Sequence, residues 1–142
     1  MTHADPRATW GAVALNQGIA HLLEGGTLAG LVGAATDDID EGRVVDAIAG
    51  APGAARDDIA SGGYVLDTLR ASFWAVAGTT SAEEAIICAV GLGWDTDTTA
   101  AVTGAIAGAH YGVSALPERW LSVLHDRERI RTLAHRITDW GP

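Results

Sequence analysis

Apolar positions in this chain return at intervals of three and four, and no segment shows a sustained two-residue alternation. Spacing of that kind lines apolar side chains along one face of a helix. The first run opens after Asp5, a residue suited to cap a helix with Pro6 in its first turn. It continues through Trp10, Val13, Ala14, Ala20 and Leu23, with Gln17 as the polar exception, until Gly25-Gly26 ends it. Thr27 offers a cap for a short second helix carrying Leu28, Leu31 and Val32. An acidic loop over residues 36–42 leads into a third run at Val44, Val45 and Ile48, which Gly50-Ala51-Pro52-Gly53 breaks. Residues 54–60 read as one more short helix.

Ser61-Gly62-Gly63 forms a turn into a strongly periodic segment, with Val65, Leu66, Leu69, Phe73 and Val76 inward and a stop at Gly78-Thr79-Thr80. Ser81-Ala82-Glu83-Glu84 has the form of a capping box, in which Ser81 accepts from the Glu84 amide and the Glu84 carboxylate answers to the Ser81 amide. The helix it opens runs to about Leu92. A tight turn over residues 91–94 precedes an Ala/Gly-rich helix that starts at Asp95. Pro117 opens a helix with Trp120, Leu121 and Leu124 on one face, and Asp126 caps a last one with Ile130, Leu133, Ala134 and Ile137 inward. The prediction is an all-α chain of helices with short connections, forming a single domain over residues 1–142.

Charge narrows the partners. Acidic residues number 18 against 9 basic ones, all Arg, for a formal charge of -9. Backbone recognition of nucleic acid needs clustered positive charge, and so does docking on an anionic membrane surface; neither is expected here. The Ala/Gly-rich stretch over residues 100–113 falls short of the ~20 apolar residues of a membrane-spanning helix. It reads as a buried central helix, with Gly104 and Gly108 as a small-x-x-x-small pair that lets a neighbour approach. A single cysteine, Cys88, excludes an intrachain disulfide and, in an apolar helix, reads as a buried inert thiol. The first residues lack the basic and apolar regions of a signal peptide, so the expectation is a soluble cytoplasmic protein.

Chemistry concentrates at Gly93-Trp94-Asp95-Thr96-Asp97-Thr98-Thr99. Asp95, Asp97 and Thr98 in one first helical turn offer hard oxygen donors that suit Mg²⁺ or Mn²⁺. Asp and Thr are equally at home there as caps, and spacing alone leaves both readings open. A calcium-binding EF-hand loop is excluded, because Ala100 and Ile106 stand where it requires Gly and Glu. The five histidines show no metal-ligand spacing and read as surface or packing residues. The arginines around 119–136 alternate with acids and read as solvated faces with local ion pairs.

The segment over residues 93–98, continuing through 100–109, Tyr111-Gly112 and Leu116-Pro117-Glu118-Arg119-Trp120, resembles the C-terminal signature of the ADP-ribosylglycohydrolase family. Gly62-Gly63-Tyr64-Val65 and Thr2-His3-Ala4-Asp5-Pro6-Arg7 resemble two further segments of that family, in the family's order. The resemblance implies an all-α orthogonal helical bundle that holds two Mg²⁺ or Mn²⁺ ions. It implies hydrolysis of the N- or O-glycosidic bond linking ADP-ribose to a protein side chain or a small molecule. Asp95, Asp97 and Thr98 are the implied metal ligands, and no other catalytic residue is assigned. Ser61, Gly62, Gly63 and Tyr64 are implied to lie near the ADP-ribose, with a core aromatic as the other reading of Tyr64. Trp94 stands where the family usually has Gly; it can narrow or fill the pocket, or point outward.

The remaining metal ligands of the family belong to motifs of an N-terminal half that have no counterpart before Thr2. Thr36-Asp37-Asp38 repeats one of them in letters, but in a loop where acidic clusters are usually solvated. The expectation is therefore half a site, inactive alone and completed by a second copy or a separately encoded N-terminal half. The uncovered apolar surface would mark that interface. The alternative is a non-catalytic helical half-domain that binds ADP-ribose or a protein partner, or a structural one in which Asp and Thr are caps only.

Overall fold

The computed structural model describes residues 3–138, so Thr2 lies outside the described residues. Its helices are α1 (Pro6–Leu23), α2 (Leu28–Thr36), α3 (Gly42–Ala49), α4 (Val65–Ala77), α5 (Ala82–Val90), α6 (Thr96–Tyr111), α7 (Glu118–Leu121) and α8 (Arg127–Thr138). No strand occurs among the described residues, and no helix of theirs is long and apolar enough to cross a membrane.

The predicted caps at Asp5, Thr27 and Ser81 form. The Asp5 side chain accepts from the Arg7 amide with Pro6 in the first turn of α1, and Thr27 accepts from the Gly30 amide at α2. Ser81 accepts from the Glu84 amide at 3.1 Å. The return bond of the capping box differs from expectation: the Glu84 carboxylate takes the Thr80 amide and hydroxyl instead of the Ser81 amide. Those two bonds hold the Glu84 carboxyl below its ordinary range.

Packing centres on α4 and α6. Helix α6 lies against α4, α5 and α1, while α1 also packs on α2, and α3 on α4. The predicted α4 stripe holds, with Leu69, Phe73 and Val76 buried. Ser72 and Thr103 both donate to the Thr99 carbonyl, at 3.3 and 2.8 Å, forming a buried polar layer between α4 and α6. The Thr99 hydroxyl itself is buried without a partner.

Several expectations are corrected. The inward face of α1 is Gly11, Ala14, Gly18 and Leu22, whereas Val13, Ala20 and Leu23 face out. The cause is close approach. A Cβ on Gly11 would sit 3.0 Å from Leu69, and one on Gly18 would sit 3.0 Å from Leu31, so the tightest contacts fall on residues that hydrophobicity ignores. Residues 54–60 form only a single tight turn at Arg56–Asp58, and α5 stops at Val90, short of Leu92. Helix α6 is buried on one side only, at Thr99, Thr103, Ile106 and Ala107, while Ala101 and Ala105 are exposed. Gly104 faces Ile86 but Gly108 meets nothing, so the two do not act as a pair.

The largest correction is at the end. Ile130, Leu133, Ala134 and Ile137 are all exposed, as is Leu124. Helix α8 has an amphipathic pattern, but its apolar side is left exposed among the described residues. Ion pairs occur here: Arg119 of α7 pairs with Glu83 of α5, Arg127 of α8 with Glu118 of α7, and Arg129 with Asp126 at the start of α8.

Candidate metal and ligand site at the start of α6

Two connections meet at the N-terminus of α6. One is the turn over residues 91–95; the other is the loop over residues 61–64 that enters α4. Gly93 and Trp94 both take positive φ, 85° and 60°. That geometry is free for Gly and strained for Trp, and it turns the indole outward, where it is 92% exposed. Of the readings open for Trp94, the structure selects the outward one.

Ser61 joins the two connections. Its hydroxyl donates to the Gly93 carbonyl at 2.9 Å, and its carbonyl accepts from the Asp95 amide at 3.0 Å. Ser61 is thereby buried. Gly63 comes next to Asp95 so closely that a Cβ there would lie 3.2 Å from Asp95 Oδ2. Gly62 lies instead on the side of Asp67.

Asp95 is the residue before α6, yet its side chain makes no cap hydrogen bond. The carboxylate is uncommitted where capping would have used it. Asp97 and Thr98 follow in the exposed part of the first turn. Two carboxylates and a hydroxyl fit the oxygen preference of Mg²⁺ or Mn²⁺. Among the described residues, no three His, Cys, Asp or Glu side chains converge on one ion position. The donor set is thus chemically apt but small.

Thr98, Gly63 and Tyr64 share a cavity of about 560 Å³ with Arg7, Gly11 and Val102. Tyr64 is 43% exposed, which excludes the core-aromatic reading. Its hydroxyl accepts from Arg7 Nη1 at 3.1 Å, and the guanidinium carbon stands 5.8 Å from the ring centroid. Arg7 is in turn forked onto Asp5, Nε to Oδ1 at 2.8 Å and Nη2 to Oδ2 at 2.6 Å. The Arg7 bonds hold the Asp5 carboxyl well below the usual carboxylate range, and Asp5 and Tyr64 push the Arg7 guanidinium up.

A profile of the ADP-ribosylglycohydrolase family matches residues 1–141. The chain belongs to that family. The ADP-ribosylarginine hydrolase Tri1 of Serratia proteamaculans is 49% identical over 82 residues, which are 58% of this chain and 22% of that protein. Human ADP-ribosylhydrolase ARH3 is 42% identical over 60 residues, 40% of this chain and 16% of that one. A solved chain from an ADP-ribosylglycohydrolase-related protein complex superposes with a TM-score of 0.82 at 34% identity. That superposition covers 94% of this chain and 47% of the solved one, so this chain spans about half of its solved relative.

Within this ADP-ribosylglycohydrolase fold, the structure gathers Gly63, Tyr64 and Thr98 around one cavity and sets Asp95 against Gly63. It leaves Asp97 on the solvent side and Ser61 behind the turn. None of Thr36, Asp37 and Asp38 lines this cavity; the Thr36 hydroxyl donates within α2, and the Asp37 carbonyl accepts from Gln17. Sequence reasoning missed Arg7 as a site residue. The signal was present in the Asp5-Pro6-Arg7 run, but only the fold brings α1 beside Tyr64, 57 residues on. The lone thiol, Cys88, is partly buried rather than enclosed, and desolvation raises its pKa against a smaller opposing effect from Arg56.

Proposed function

We propose that this chain contributes the C-terminal part of an ADP-ribosyl glycohydrolase centre. In this reading residues 1–142 form one partial domain. Asp95, Asp97 and Thr98 hold a Mg²⁺ or Mn²⁺ ion, one of a pair, and Ser61, Gly62, Gly63 and Tyr64 border the ADP-ribose of an ADP-ribosylated substrate. The observation that carries the reading is the uncommitted Asp95 carboxylate at the N-terminus of α6 in a member of this family. When bound, such cations supply Lewis-acid polarisation of sugar hydroxyls and of an attacking water.

The residues of this chain have distinct tasks. Asp95 and Asp97 supply negative charge and Thr98 a neutral oxygen at the same helical turn. Gly63 leaves room beside the Asp95 carboxylate that any side chain would take. Tyr64, tethered by Arg7, lines the cavity. The donor set is too small for two ions, so a second polypeptide supplies the rest, either another copy or an N-terminal half. In this reading the chain acts in the cytoplasm.

Titration calorimetry with MnCl₂ tests this directly. The wild-type chain gives a saturable signal and Asp97→Ala gives none; identical traces would remove the ion. Native mass spectrometry with ADP-ribose and Mn²⁺ then separates a liganded assembly from a bare monomer. The bare monomer favours the second reading, a non-catalytic half-domain, for which the small donor set speaks.

A further inference from the structure

Ser61 was expected beside the ligand, yet its hydroxyl and carbonyl are both spent on the turn that delivers Asp95. Its hydroxyl donates to the Gly93 carbonyl and its carbonyl takes the Asp95 amide. The two bonds straddle Trp94, whose backbone sits in the left-handed region at φ 60°. A non-glycine residue there is strained and persists only where its surroundings impose it. With an exposed indole, the Trp94 side chain contributes little to holding that geometry. We infer that Ser61 is a positioning residue: it clamps the Gly93–Asp95 turn in its strained form and so sets the direction of the Asp95 carboxylate against Gly63. The clamp itself stands on geometry, while its consequence for a cation rests on the functional reading above.

Amide hydrogen exchange and Mn²⁺ titration on the full chain test the two parts separately. Loss of one buried hydrogen bond changes a local opening equilibrium by about two- to tenfold. Ser61→Ala is expected to speed exchange at the Asp95 amide by that factor while amides in the middle of α4 keep wild-type rates. Unchanged exchange at Asp95 would overturn the clamp, whether or not the chain binds metal.

Where the wild type binds Mn²⁺, Ser61→Ala weakens it severalfold and Ser61→Thr, which keeps the hydroxyl, restores it. Gly63→Ala, which crowds Asp95 Oδ2 from the other side, also weakens it. Equal Mn²⁺ affinity in wild type and Ser61→Ala, with the turn loosened, would overturn the positioning role and leave the ion site standing. A wild type that binds no Mn²⁺ but shows faster Asp95 exchange in Ser61→Ala supports the clamp and removes the ion.

Discussion

Arg7 on α1 and Tyr64 at the entry to α4 meet across the cavity mouth, guanidinium to phenol, at 3.1 Å. Asp5 holds the other side of the same guanidinium through two bonds. A cap, an ion pair and a cavity wall are thus one chain of contacts.

That chain of contacts has a pH signature. The folded Asp5 carboxyl is held below its unfolded pKa of about 3.9, so its contribution is fully present above that value. It is lost as pH falls toward the folded pKa. The difference in melting temperature between wild type and Asp5→Asn should be constant from pH 7 to about pH 5 and shrink below about pH 4. A difference that grows on acidification would contradict the assignment.

Two apolar residues of similar sequence appearance should behave oppositely. Phe73 is fully enclosed between α1, α2 and α4, and Phe73→Ala is expected to cost about 3–5 kcal/mol. Leu133 is exposed on α8, and Leu133→Ala should change stability by less than about 0.5 kcal/mol. Urea denaturation of both variants checks the contrast.

Thr99 carries a buried hydroxyl with no partner. Thr99→Val keeps the shape and removes that group, and stability should rise by about 1 kcal/mol. The Thr99 carbonyl, which serves Ser72 and Thr103, is untouched. A thermal melt no higher than wild type would indicate that the hydroxyl is satisfied in solution.

Trp94 offers a test of strain. Replacing it with Gly relieves about 1–2 kcal/mol of left-handed backbone cost and adds about 0.4–1 kcal/mol of unfolded-state freedom. Relief is the larger effect, so Trp94→Gly should be more stable by about 0.5–1 kcal/mol in chemical denaturation. A loss of stability would mean that the indole packs on something in solution.

Much of this was legible in the chain. Asp5, Thr27 and Ser81 announced helix starts because capping is local chemistry, and Leu69, Phe73 and Val76 announced a core face because α4 is packed on several sides. The face of α1 was not legible, because Gly11 and Gly18 are chosen by what presses on them. Nor was the exposure of Ile130, Leu133 and Ile137, since amphipathic spacing says that a face wants a partner without saying that this chain supplies one. At the site, Asp95, Asp97 and Thr98 stood out by type and spacing. Arg7 and the role of Ser61 depend on contacts made across 57 and 32 residues, which no local pattern encodes.

The half-sheltered thiol of Cys88 has a practical meaning. Its raised pKa leaves it largely unionised near neutrality, so alkylating reagents and mild oxidants find little thiolate to attack. It is also the chain's sole cysteine. A cysteine introduced at a fully exposed position, on α8 for example, is expected to label with a maleimide dye ahead of Cys88, because it lacks that burial.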